Sequence, residues 1–149
     1  RTVIDIDGDG SISMNIGELE TATNYKMPVK VLVLNNYGDG MVRQWQKLFY
    51  DGRMSASDKS LRSKDFVKTA QADGFEYAER LTDPKEVDRV VREWLEFPGP
   101  AFLEVVIDRD AGVYPMVPPG ASYDQMITGD WIANRVQTTE ADVDKSSMF

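Results

Sequence analysis

The chain has no cysteine and no histidine in its 149 residues. Disulfides, thiolate or imidazole metal sites, cysteine nucleophiles and histidine-based triads are therefore excluded within it. Positive charge is also scarce: 17 Lys and Arg stand against 25 Asp and Glu, a formal net charge of −8. That balance argues against a nucleic-acid partner, which needs clustered basic residues. Arg43, Lys47, Arg53, Lys59, Arg62, Lys64 and Lys68 do fall close together, and read as a solvated face on and after a helix. No apolar run approaches the length of a membrane span, so no membrane partner is expected. The length suits one domain at most, burying roughly 70% of its unfolded surface. The chain begins without Met at Arg1, two residues ahead of a strand, and the residues at that end do not read as a signal or transit sequence. A natural domain rarely begins there, so a fragment of a longer intracellular subunit is expected.

What is present is concentrated between Val3 and Asn36. Val3-Ile4-Asp5-Ile6-Asp7 and Val29-Lys30-Val31-Leu32-Val33-Leu34 are β-branched, apolar-rich runs, each followed by polar residues. The intervening segment reads as a helix from about Ser13 to Tyr25, with Ile16, Leu19, Ala22 and Thr23 recurring on one face. The expected unit is β-α-β with parallel strands. Ligands of open parallel sheets gather beyond the carboxyl ends of the strands, here Gly8-Asp9-Gly10 and Asn35-Asn36.

Two chemistries compete for this stretch. Asp5, Asp7, Asp9, Gly10 and Ile12 follow the first two-thirds of an EF-hand calcium loop. That loop needs a bidentate Glu at its twelfth position, where Ile16 stands, and a helix before its first. The alternative puts Asp5 and Asp7 on the strand and Asp9 just past its end. Gly8 and Gly10 then let the backbone turn and approach a ligand closely. A helix starting near Ser11 or Ser13 points its N–H groups at the same spot, which favours a diphosphate. Asp9 and Asn36 offer hard oxygen ligands suited to a Mg²⁺ ion between carboxylate and phosphate.

The remaining chain alternates helices and strands. Met41, Leu48 and Phe49 alternate with Arg43, Gln44, Gln46 and Lys47 in a helix ending near Asp51-Gly52. Ser55 to Ser63 is polar, short of apolar anchors and reads as a mobile loop. A helix opens at Ser63 or Lys64 with Phe66, Val67 and Ala70 inward, and Phe75 to Ala78 forms a short strand. Asp83-Pro84-Lys85-Glu86 is a helix start, and Val87, Val90, Val91, Trp94 and Leu95 form one buried stripe. Ala101 to Ile107 is the last strand. The fold class is α/β, a doubly wound parallel sheet of three or four strands with flanking helices, its first strands lying upstream. Residues 1–109 form the main domain and 110–149 an irregular carboxyl-terminal arm.

Gly8-Asp9-Gly10, followed after twenty-four residues by Asn35-Asn36, matches the thiamine diphosphate (ThDP) motif. The text around it narrows the resemblance. Pro28 to Asn36, Gly40-Met41-Val42-Arg43-Gln44-Trp45-Gln46, Leu48-Phe49-Tyr50, Gly99 to Val105 and Tyr114-Pro115-Met116-Val117 resemble the catalytic subunit of acetolactate synthase (acetohydroxyacid synthase), closest to fungal members. The resemblance implies ThDP-dependent condensation of pyruvate with a second 2-keto acid, pyruvate or 2-ketobutyrate, in branched-chain amino-acid biosynthesis. It implies a cofactor site of Gly8, Asp9, Gly10, Ser11, Asn36, Gly38, Gly40 and Met41. Mg²⁺ is held by Asp9, Asn36 and position 38, where Gly38 offers only its carbonyl. Met41, Val42 and Trp45 become a substrate and herbicide gate on a mobile loop, Asp39 to Met54; the bland alternative for Trp45 is helix packing. The resemblance also implies that FAD binds outside this stretch and that no catalytic residue lies in it, the activating Glu being upstream. The complete enzyme is implied to be a homodimer or tetramer with a regulatory subunit, mitochondrial in a fungus and cytoplasmic in a bacterium. Another ThDP-dependent 2-keto-acid decarboxylase is the nearest alternative, and the departure at Tyr37-Gly38-Asp39 suits an inhibitor-resistant paralogue.

Overall fold

The computed structural model describes residues 1–61 and 64–129. Four strands, β1 (Val3–Gly8), β2 (Val29–Asn35), β3 (Tyr77–Leu81) and β4 (Ala101–Val106), form one parallel sheet in the order β1-β2-β4-β3. The expected α/β architecture is borne out. Helices α1 (Asp9–Ile12), α2 (Glu18–Asn24), α3 (Gly40–Phe49), α4 (Phe66–Ala72) and α5 (Val87–Glu96) connect the strands. Residues Arg1–Asp110 form one compact unit and Ala111–Phe149 another. In the second unit Met116 and Ile127 pair as an antiparallel bridge beside a 3-10 turn at Tyr123–Gln125. Residues 130–149 of the expected arm, and Arg62 and Ser63 of the expected loop, lie outside the described residues.

Strand alternation divides the core between the two faces of the sheet. Val31, Val33 and Phe102 face a cluster with Ile12, Leu19, Ala22, Phe66, Ala70 and Phe75. Ala101, Leu103 and Leu81 face Val90 and Trp94 on the opposite side. The Trp94 indole N–H, buried with them, donates to the Ala101 carbonyl at 3.1 Å. β1 is an edge strand whose Val3, Ile4 and Ile6 are exposed.

Several expectations need correction. The first crossover is not one helix from Ser13 to Tyr25: α1 is a single turn beginning at Asp9, and α2 resumes at Glu18. Ser13, Asn15 and Gly17 are weak helix formers, which accounts for the break. β3 starts at Tyr77, not Phe75, because Phe75 turns into the core after Gly74 (φ +93°). α4 starts at Phe66, capped by Asp65, which accepts from the Lys68 N–H at 3.2 Å. In the expected α5 stripe Val90 and Trp94 are buried, whereas Val87 and Leu95 are exposed. Leu95 lies about 120° round the helix from the line through Val90 and Trp94, too far to reach the same sheet.

β2 is not uniformly apolar: Lys30 is buried and its ammonium donates to the carbonyls of Phe97 and Gly99, closing the end of α5. Burial pushes that amine below the usual lysine range. A second buried charge, Glu104 on β4, is held from two sides. Asn35 Nδ2 donates to one of its oxygens and Arg80 Nε to the other, both at 2.7 Å. Arg80 also bridges to Asp65 at 2.7 Å.

Replacing Arg80 with Met leaves Glu104 buried without its cation. The expected loss is at least about 1–3 kcal/mol of unfolding free energy, measured by urea titration. Asp65 provides the pH counterpart. The Lys68 backbone N–H, then Arg80, holds its carboxyl below the usual value of 3.8. Because the folded value is the lower one, its stabilisation is complete above pH 3.8 and is lost as pH falls through the folded value. Asp65→Asn is expected to flatten that acid limb of a stability–pH curve.

Candidate cofactor site

The register of β1 on β2 sets Gly8 opposite Leu34, so Asp9 and Asn35-Asn36 leave the sheet side by side. Between them lies an open cleft of about 790 Å³, lined by Gly8 to Ser11, Asn36, Gly38 to Gly40, Ala56 and Lys59, among others. Of the residues expected to meet the cofactor, Gly8, Asp9, Gly10, Ser11, Asn36, Gly38 and Gly40 line this cleft. Met41 does not, and its side chain is exposed.

Asp9 is only 3% exposed. A buried carboxylate is stabilised only by a cation or by hydrogen bonds. Ser11 is fixed by Asp7, which accepts from the Ser11 hydroxyl and from the Gly8 N–H. Asp7 thus shapes the turn without entering the cleft. Asp5 and Asp7 stay on β1 while Asp9 opens α1, and among the described residues no three acids converge on a metal position. The EF-hand alternative fails on that geometry. Asn35 is structural, held to Glu104 and accepting from the Tyr37 N–H at 2.9 Å. The Asn36 side-chain oxygen accepts from the Gly38 N–H at 3.2 Å and retains a second lone pair.

Helix polarity also differs from expectation. With one turn, α1 is too short to build much of a dipole. The ten-residue α3 begins at Gly40 on the rim of the cleft. Asp39, the residue before it, does not cap it with its side chain, which pairs instead with the Lys59 ammonium.

That pair depends on residues 55–61 of the segment expected to be a loop, a strap whose backbone and side chains bond to neighbouring elements. Gly38 and Asp58 form an antiparallel bridge, with Asp39 N–H to Ser57 O and Lys59 N–H to Tyr37 O each 2.9 Å. Ser57 is buried and donates to Gln46, and Asp58 pairs with Arg109. Hydrogen bonds from Ser60, then the charges of Arg109 and Arg43, hold the Asp58 carboxyl below the ordinary range. Polar contacts replace the missing apolar anchors.

Two glycines fit the approach of a ligand and of this strap. A Cβ on Gly10 would lie 2.5 Å from both Asp39 Oδ1 and Lys59 Nζ, and one on Gly38 would lie 2.7 Å from the Ser57 carbonyl and from Arg43 Cδ. A side-chain ligand at position 38 is therefore excluded by the strap itself. The buried Asp9 carboxyl and the Asn36 amide oxygen on the same cleft, beside Gly10 with no side chain, are donor types that suit a divalent cation with a diphosphate.

α3 buries its polar side and shows its apolar one. Arg43 and Gln44 are buried, whereas Met41, Val42, Trp45, Leu48 and Phe49 are exposed. Arg43 is drawn inward by the Arg109 carbonyl at 2.8 Å and Asp110 at 3.2 Å. Trp45 is 36% exposed and packs edge-on against Phe49 of its own helix, centroids 5.2 Å apart. It is not a core residue.

These features define a diphosphate-binding α/β domain, and the chain belongs to the thiamine pyrophosphate enzyme family, matching its C-terminal TPP binding domain over residues 1–105. Over 127 residues it is 45% identical to the acetolactate synthase large subunit of Parasynechococcus marenigrum (strain WH8102), 85% of this chain and 20% of that one. Over 136 residues it is 42% identical to the mitochondrial acetolactate synthase catalytic subunit of Saccharomyces cerevisiae (strain ATCC 204508 / S288c), 91% of this chain and 19% of that one. The resemblance expected from the residues, fungal members included, is borne out. The chain spans about a fifth of the length of these relatives. Among solved structures, benzoylformate decarboxylase from Polynucleobacter necessarius shares the fold, with a TM-score of 0.66 at 24% identity over 76% of this chain and 21% of that one. Among the described residues no helix is long and apolar enough to cross a membrane.

The two glycines make opposite predictions. Gly10→Ala displaces only the flexible ends of Asp39 and Lys59, so unfolding free energy should stay within about 0.5 kcal/mol of wild type. Calorimetric binding of ThDP with Mg²⁺ to the complete subunit should nevertheless be lost. Gly38→Ala presses on backbone and should cost about 1–3 kcal/mol, with faster proteolysis between residues 51 and 61.

Proposed function

We propose that this chain supplies the diphosphate and Mg²⁺ half-site of an acetolactate synthase catalytic subunit. The complete protein would condense pyruvate with a second 2-keto acid, pyruvate or 2-ketobutyrate, on the route to branched-chain amino acids. The observation that carries this reading is that Asp9, Gly10 and Asn36 line one cleft at the carboxyl ends of β1 and β2, with Asp9 buried in it. Its support from sequence is the 42–45% identity to acetolactate synthases across most of the chain.

Asp9, the Asn36 side-chain oxygen and the Gly38 carbonyl hold Mg²⁺ on this reading, and the N–H groups of Gly10, Ser11 and Gly40, which line the cleft, receive the diphosphate. Bound ThDP supplies the electron sink for decarboxylation and carbon–carbon bond formation. The chain's own part is to fix the anionic end of the cofactor and to govern access to its other end. Met41, Val42 and Trp45, on the exposed face of α3, narrow the entrance and select the second keto acid, and the same surface receives inhibitory herbicides. Covering them as the site closes would exclude water from the reacting centre.

The acid that activates the cofactor belongs to another domain, as does the FAD site. A homodimer or tetramer with a regulatory subunit completes the assembly, mitochondrial in a fungus and cytoplasmic in a bacterium. The 149-residue chain alone is accordingly inactive.

In the complete subunit, Asp9→Ala should abolish ThDP and Mg²⁺ binding by calorimetry with an unchanged circular dichroism spectrum. Normal cofactor affinity in that variant would defeat the proposal. Trp45→Leu tests the gate separately. Loss of one aromatic contact, about 0.5–1.5 kcal/mol, should raise the herbicide inhibition constant several-fold and relax keto-acid preference while pyruvate is still consumed. Unchanged inhibition would remove Trp45 from the gate.

A further inference from the structure

We infer that Lys59 is a diphosphate-binding residue, carried into the cleft by the strap and held there by Asp39. The inference rests on the proposed cofactor site and goes beyond it, because Lys59 lies in a polar stretch that no motif singles out. Three observations bear on it. The Lys59 ammonium lies 2.5 Å from where a Cβ on Gly10 would stand, against the backbone that a diphosphate must approach. Among the described residues lining the cleft, the acids are Asp9 and Asp39 and the one base is Lys59. Its side chain is only 10% exposed although it lies within a mostly polar segment.

Charge explains why such a residue is useful. Asp9, Asp39 and Lys59 sum to −1, and a Mg²⁺ ion brings the cleft to +1, still short of the charge on a diphosphate. Without Lys59 the loaded cleft would be neutral. Gly38 contributes no side chain, and the strap fills the space one would need. The strap that displaces that ligand delivers a cation in its place. An ammonium has three donors, so Lys59 can keep Asp39 and still donate to a phosphate oxygen. The bridge between Gly38 and Asp58 fixes the backbone of the strap beside Lys59, so little ordering remains to be done on binding.

The test is calorimetric titration of the complete subunit with ThDP at saturating Mg²⁺, across a range of salt concentrations. Lys59→Met should weaken ThDP binding about tenfold to a hundredfold and flatten its salt dependence, because a charge-assisted contact is lost. Lys59→Arg should bind within about threefold of wild type. Asp39→Asn, which keeps an acceptor for Lys59 but removes a negative charge, should bind as tightly or more tightly. Thermal melts by circular dichroism verify that each variant is folded. Wild-type affinity and salt dependence in folded Lys59→Met would overturn the inference. So would a greater loss in Asp39→Asn than in Lys59→Met, which would make Asp39 the ligand. Asp9→Ala, run in parallel, separates the two levels. If it binds ThDP normally, the cofactor site itself is wrong; if it does not and Lys59→Met does, only the role of Lys59 fails.

Discussion

Gly8 faces Leu34 across a parallel ladder, and the cleft depends on that pairing. Register in a buried sheet is set by the apolar residues on each face, since a slip of one residue exchanges the faces. Val31 and Val33 are 4% and 0% exposed, so a slip of β2 would turn Lys30, Leu32 and Leu34 into their cluster. Core packing therefore determines which residues emerge at the carboxyl ends of the strands. The same register joins Asn35 to Glu104 through the neighbouring strand, where Asn35 pairs with Val106. A buried hydrogen bond thus ties the polar end of β2 to the centre of the sheet.

The site departs from local regularity where ligand binding requires it. Asp9 places a carboxyl group in a buried position, and α3 turns Arg43 and Gln44 inward while exposing Trp45 and Phe49. Neither arrangement maximises apolar burial. Both become intelligible if a cation and a diphosphate fill the cleft and another surface or substrate covers α3. A protein commonly breaks its own patterning at functional positions. Here the breaks fall on the residues that the proposed chemistry uses.

The sheet, its parallel sense and the positions of Asp9 and Asn36 were legible in the sequence, because β-branched runs and a fixed spacing are local signals. The break after Ile12 was less legible, since tolerance of Ser13, Asn15 and Gly17 in a helix depends on tertiary context. The depth of Asp9 was not legible, as burial comes from neighbours on other elements. Lys59 was hidden for a similar reason. Its partner Asp39 is 20 residues away, and the strap that carries Lys59 has polar residues without periodicity. Glu104 looked like one more residue in an apolar strand until Arg80 and Asn35 were seen to converge on it.

Most of the account turns on whether one divalent ion sits between Asp9 and the diphosphate. Crystals of the complete subunit grown with ThDP and Mn²⁺ in place of Mg²⁺ would locate that ion by anomalous scattering. The predicted result is a peak within about 2.0–2.3 Å of an Asp9 carboxylate oxygen and the Asn36 side-chain oxygen, with Gly38 contributing its carbonyl. A peak beside Asp5 and Asp7, or a bound ThDP with no metal at Asp9, would contradict it.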